Sequence, residues 1–150
     1  MNIQKGWIEK RQFDRIEAAV KVTYYAISRD ELVHLLNRKE YLETQADQLP
    51  DLATKSSVIH AVTQDLSIGG MSLLGDQVFD VNTALIIHLH LPETPTPLTL
   101  IAEVLRVQPN SKSTGGVHKA GIKILAINRV DVISLEKYLL AEKLRNNKKK

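Results

Sequence analysis

The sequence predicts a mainly β domain: a six-stranded antiparallel β-barrel with a C-terminal α-helix and an inserted helical segment after the first strand. Three observations carry this. Short runs of β-branched, aromatic and aliphatic residues recur, and the later ones are separated by the turn-like stretches "GDQ", "PETPTP" and "NSKSTGG". Residues 84–91, "ALIIHLHL", alternate in their second half with the period of a strand. A Ser-x-x-Glu capping box follows the first strand and opens a stretch with helical leucine spacing. Six strands favour closure, because a barrel leaves no exposed sheet edge.

The elements follow in order. Residues 18–27, "AAVKVTYYAI", form the first strand. Ser28 and Glu31 make the capping box, and "LVHLLNRKEYLETQ" places Leu32, Leu35, Leu36 and Leu42 roughly on one helical stripe. The chain to about residue 56 is irregular, with Pro50 as a breaker. Strands are expected near 58–66, 70–75, 84–91, 98–107 and 117–126. In the third of these, Leu85, Ile87, Leu89 and Leu91 point to the core, and Ile86, His88 and His90 to a wetter face. The final helix is expected from about 129 to 146. Val132, Leu135 and Leu139 lie on one arc of it and Ile133, Leu140 and Leu144 on another, which is wider than one core-facing stripe needs. The second arc is either buried by the inserted helix or meets a partner.

Composition bounds the function. The 150 residues suit one domain, expected over 1–142, with a basic tail at 143–150. Apolar residues make up 43% and charged residues 25%, enough hydrophobic material for a packed core. The net charge of +3 is unevenly placed: "KLRNNKKK" at the end holds five basic residues, and without it 15 basic residues face 17 acidic ones. A near-neutral body lacks the basic face of a duplex-DNA binder. Aromatics at 5% offer few platforms for stacking single-stranded bases. No nucleic-acid partner is therefore expected. The absence of cysteine excludes disulfides, thiolate zinc sites and a thiol nucleophile. The N-terminus has no signal-peptide core, and the longest aliphatic run, "ALII", is far short of the ~18 residues of a membrane span, so a cytoplasmic protein is expected.

Two stretches could carry chemistry. "EKRQFDR" at 9–15 places Arg11 and Arg15 four residues apart ahead of the first strand. A guanidinium presents a planar fork that suits phosphate or the O6/N7 edge of guanine, so such a pair could hold an anionic nucleotide; a solvated charged arm is the commoner fate. "DLSIGG" at 65–70 lies where a strand ends. Asp65 and Ser67, two apart in extended chain, would face one side, and Gly69 and Gly70 allow tight backbone and close approach of a ligand. A carboxylate there can accept hydrogen bonds from a guanine edge, while Asp, Ser and Gly also build ordinary turns. His88-x-His90 matches half of a metal site without an obvious third ligand, so no metal is expected. No nucleophile elbow, P-loop or serine triad is present in the pattern, so no enzyme activity is expected.

The RxxxR pair before the first strand, then DxSxxG where the second strand turns into the third, together with a small barrel and a last helix, resembles the PilZ domain family. The likeness continues in "LIIHLHLP", "AEVLRV" at 102–107 and "AGIKIL" at 120–125, and covers about residues 8–28 and 58–142. It implies a non-enzymatic receptor for the bacterial second messenger cyclic di-GMP, with no cofactor. By the family pattern Arg11 and Arg15 grip guanine and phosphate from a mobile arm. Asp65 and Ser67 meet the nucleotide from the barrel, and Gly70 leaves room and forms the turn. Lys10 and Gly69 are additional candidate contacts. The signal would pass to a downstream protein in motility, adhesion, biofilm formation or virulence, from a monomer or homodimer. The chain departs from the pattern at Lys10, where the family often has Arg, at Asp14, where Pro is frequent, at Ile124, where an aromatic is common, and in the insertion after residue 28. The alternative reading is an interaction module of the same fold that binds no nucleotide.

Overall fold

The computed structural model describes residues 15–36, 58–108 and 117–148. Its strands are β1 (Ile16–Glu17), β2 (Lys21–Ile27), β3 (Ile59–Leu66), β4 (Gly70–Gly75), β5 (Ala84–His90), β6 (Leu98–Gln108) and β7 (His118–Ile127). The helices are α1 (Arg29–Leu36), between β2 and β3, and α2 (Arg129–Lys148), after β7. The neighbour order is β3-β2-β5-β6-β7-β4, and β4 pairs back with β3, so six antiparallel strands close into a barrel. The two-residue β1 extends the β2 edge along β3.

The first strand is expected from residue 18, but β2 starts at Lys21, and residues 18–20 form a break between β1 and β2. The reason is Thr63, which is buried on β3. Its hydroxyl accepts the Val20 N–H at 2.9 Å and donates to the Ala18 carbonyl at 2.5 Å. The side chain thus replaces a rung of the ladder and satisfies the backbone groups that the break releases.

The barrel interior is filled by Val20, Val22, Leu66, Leu73, Ile87, Leu89, Leu100, Val104 and Ile122, all essentially inaccessible. Leu135 and Leu139 of α2 pack into this core. A second cluster forms outside the barrel, where Leu32 and Leu35 of α1 pack on Tyr25, Ile27, Ile86, Ile101 and Ala126. Ile86 is therefore fully buried, so only the histidine end of that face of β5 is wet. Ser28 caps α1 as its sequence signature predicts: the Glu31 N–H donates to Ser28 Oγ at 3.1 Å. Leu42 and the rest of the insertion lie outside the described residues.

Helix α2 ends at Lys148, close to the expected end near 146, so the basic residues from Lys143 onward lie largely within its last turns. No described helix is long and apolar enough to cross a membrane.

Candidate functional site

Two β-bulges build the site. In a regular strand, residues two apart face the same side. On β3, Thr63 points into the core, and Asp65 would follow it inward. The register instead shifts between Thr63 and Asp65, leaving Gln64 as the extra residue and turning Asp65 outward. On β6, Val104 is buried and Arg106 would follow. A second register shift between Val104 and Arg106 leaves Leu105 extra, and Arg106 is exposed. Both charges reach one polar recess of about 350 Å³, lined by Arg15, Asp65, Ser72, Arg106, Lys119 and Gly121 among others. Three cations meet one carboxylate there, an arrangement suited to an anionic ligand.

Asp65 is held in place. Its Oδ1 accepts the Ser72 N–H at 3.1 Å and the Arg15 Nη1–H at 3.1 Å. The same Arg15 nitrogen donates to Ser72 Oγ at 3.1 Å. The arginine that precedes the barrel is thereby tied to the start of β4, and its remaining N–H groups are directed from a fixed anchor.

Arg106 pairs in register with Gly121 of β7. A Cβ on Gly121 would lie 3.0 Å from Arg106 Cγ and Nε, so the arginine crosses the strand through the space that the missing side chain leaves.

Ser67 has a different environment from Asp65. It follows the end of β3 and is 2% exposed. Its hydroxyl accepts the Gly69 and Gly70 N–H groups at 3.2 and 3.1 Å and donates to the Gly70 carbonyl at 3.1 Å. The Ser67 N–H also donates to the Gly70 carbonyl, at 2.8 Å. The expectation that Asp65 and Ser67 face one side assumed extended chain through both, but the strand stops at Leu66. Gly70 is required sterically: a Cβ there would meet the Ile122 carbonyl oxygen at 2.4 Å. The Gly69 carbonyl accepts the Ile124 N–H at 3.0 Å and fastens the turn to β7.

The structure thus gathers Arg15 and Asp65 in the recess and places Ser67, Gly69 and Gly70 in the turn that supports it. Lys10 and Arg11 lie outside the described residues. Sequence reasoning missed Ser72, Arg106 and Lys119. No motif spacing marks them, since their convergence depends on the register of β4, β6 and β7.

The histidines serve the strand face. His90 Nε2 lies 3.1 Å from Thr23 Oγ1 and His88 Nε2 3.4 Å from Thr99 Oγ1. Burial, then the charges of Lys21 and His60, lower the His90 pKa. Among the described residues no group of three His, Asp or Glu side chains is placed to hold a metal ion. A larger recess of about 740 Å³ runs along β3 and β4, but its lining of Ile59, Ala61, Val62 and Leu74 with Lys21 and Asp76 gathers no cluster of cations.

Comparison with known proteins agrees with this architecture. No curated protein matches the chain significantly. Among solved structures, the chain is similar to the Bacillus subtilis inhibitor of motility MotI/DgrA (TM-score 0.61, 18% identity), over 90% of this chain and 52% of that one. The chain thus spans about half the length of that protein. It is also similar to the PilZ domain of YcgR from Escherichia coli, solved with c-di-GMP (TM-score 0.57, 12% identity, 93% and 96% covered). A third is a tetrameric PilZ domain from Xanthomonas campestris, described as self-assembled through a helical bundle (TM-score 0.55, 14% identity, 97% and 98% covered). At these identities the likeness establishes the fold. The family model described as "PilZ domain" matches residues 9–141, nearly the whole chain, and the chain belongs to that family.

Proposed function

We propose that this protein is a non-enzymatic, cytoplasmic receptor for cyclic di-GMP. The observation that carries the reading is the recess that Arg15, Arg106 and Lys119 line together with the carboxylate of Asp65. Cyclic di-GMP offers two phosphates and guanine edges. Guanidinium forks suit both, and a fixed carboxylate accepts from the N1–H and amino group of guanine. Membership of the family, and the likeness to a YcgR domain solved with c-di-GMP, support the same ligand. In this reading Arg15 and Asp65 contact the nucleotide directly, and Ser67, Gly69 and Gly70 hold the turn that aims Asp65. By the family pattern Arg11, with Lys10 beside it, adds further cationic contacts to the ligand. The bound nucleotide and the residues that hold it then form the surface read by a downstream protein, in motility or biofilm control.

Calorimetric titration with cyclic di-GMP, with GTP and cyclic di-AMP as controls, tests this. Selective binding that Arg15→Ala removes is expected. An absence of heat at ligand concentrations high in the micromolar range would refute it. One observation favours the alternative, a nucleotide-free interaction module: Arg15 and Asp65 already satisfy each other as an ion pair. That reading predicts partner capture that is equal with and without nucleotide.

A further inference from the structure

The last helix is apolar on two opposite sides, and among the described residues only one of them is packed into the core. Leu135 and Leu139 are buried on the barrel, with Val132 and Tyr138 beside them. On the far side Val130, Ile133, Leu140 and Leu144 are each 50–60% exposed. Leu144 lies nine residues after Leu135, about two and a half helical turns, so it faces directly away from the barrel. The outward residues Val130, Ile133, Lys137, Leu140, Leu144 and Asn147 recur at alternating intervals of three and four. That is the seam of a two-helix coiled coil, about 30 Å long in a helix of 20 residues. Four large aliphatic residues on one outward stripe, broken only by Lys137, are more than the scattered exposure of an ordinary surface helix.

We propose that this stripe pairs with the same stripe of a second copy, in antiparallel orientation, to form a homodimer. Charge decides both occupant and direction. A parallel pair would set Lys137 against Lys137 in the middle of the seam, where like charges repel and cannot be paired. An antiparallel pair centred between Lys137 and Leu140 sets each Lys137 against Leu140 of the second copy. Its stem packs there and its ammonium reaches solvent. Ile133 then meets Leu144 of the second copy, twice by symmetry. In the same register the exposed Glu136 of each copy flanks Lys143 of the other, giving two complementary pairs along one edge of the seam. The other edge carries the small residues Ser134 and Ala141, which permit close approach. The helix is thus complementary in shape and charge to its own inverted copy. The edge of Ser134 and Ala141, with Lys137, borders a recess of about 340 Å³ between the helix and Leu91–Thr94 of the same chain, while Ile133, Leu140 and Leu144 stay exposed.

A single helix pair with a lysine in its seam is a small interface, so a weak dimer is expected, with a dissociation constant at or above about 1 µM. Sedimentation of the full chain from low to high micromolar concentration is the test. A monomer–dimer equilibrium is expected that Leu140→Glu abolishes without loss of the circular dichroism of the fold. Glu136→Lys should weaken it at least several-fold, and the exchanged pair Glu136→Lys with Lys143→Glu should restore it. Orientation is read separately, since the chain has no cysteine of its own. Mixed Ile133→Cys and Leu144→Cys proteins should form the heterologous disulfide in preference to either homologous one. Four outcomes overturn the proposal: a monomer at every concentration, which would assign the stripe to a different partner; association that survives Leu140→Glu; an exchanged pair no better than the single variant; or predominantly homologous disulfides, which would mark a parallel pair.

Discussion

Arg15 and Asp65, 50 residues apart in sequence, are joined by a 3.1 Å ion pair that also includes the hydroxyl of Ser72. The guanidinium side chain is 39% exposed and the carboxylate side chain 24%, so water screens the pair and its contribution to stability is at most about 1 kcal/mol. Arg15→Ala should leave the melting temperature within a few degrees of wild type. On the proposed function it should cost cyclic di-GMP tenfold or more in affinity, the loss of a charge-assisted contact of roughly 1.5–3 kcal/mol. Arg15→Lys should restore only part, because an ammonium lacks the fork. Thermal denaturation beside calorimetry separates the two effects; a large drop in melting temperature would mean that the pair is structural.

Arg106 provides a second test that no sequence motif suggests. It crosses Gly121 and lines the recess with Arg15 and Asp65. Arg106→Ala should reduce affinity about tenfold, with stability unchanged, because the side chain is exposed and buries little. Gly121→Ala should reduce affinity less, by displacing the guanidinium a few tenths of an ångström without removing it. Equal affinity for Arg106→Ala and wild type would place the nucleotide elsewhere on the barrel.

The barrel is legible in the sequence because its signals are local. Alternation in β5, turn residues between strands and the Ser28–Glu31 cap each depend on a few adjacent residues, and these elements stand where their patterns put them. The candidate site is legible only in part, since bulges leave no signature in a single sequence. Asp65 stands out in a motif, but nothing in its neighbours tells that Gln64 is the extra residue that turns it outward. Arg106 faces the recess only because Leu105 bulges. The break at 18–20 escapes sequence reading for a similar reason: it depends on a hydroxyl at position 63, more than forty residues away. Ser67 shows the converse, a motif residue whose hydroxyl is spent inside the turn.

That turn can be tested apart from binding. Ser67→Ala strands the Gly69 and Gly70 N–H groups, and should destabilise the protein by about 1–3 kcal/mol. Gly70→Ala should cost more, because a methyl 2.4 Å from the Ile122 carbonyl oxygen forces β4 away from β7. Chemical denaturation measures both. If Ser67→Ala unfolds at the wild-type midpoint yet binds more weakly, the hydroxyl acts on the ligand and not on the turn.

Tyr24 is 4% exposed in the barrel core and stacks on Phe79 with ring centroids 5.7 Å apart. Burial, and then the negative charge of Asp76, push its pKa from 10.0 up to about 12. Burial also raises Tyr25 and Tyr138. An unfolded tyrosine ionises near pH 10, so between that pH and about 12 the unfolded chain has released a proton that the folded one retains. The stability associated with neutral Tyr24 is therefore fully present below about pH 10 and is lost as the pH rises through the folded value. The amount is on the order of 3 kcal/mol. Tyr24→Phe keeps the ring and removes the titration. Its unfolding free energy should fall less steeply than that of wild type between about pH 10 and 12, with a residual slope from Tyr25 and Tyr138. Denaturant melts at closely spaced pH values give the comparison. Parallel curves for the two proteins over that window would show that Tyr24 ionises as easily in the fold as in the unfolded chain, and that the ring edge is open to water.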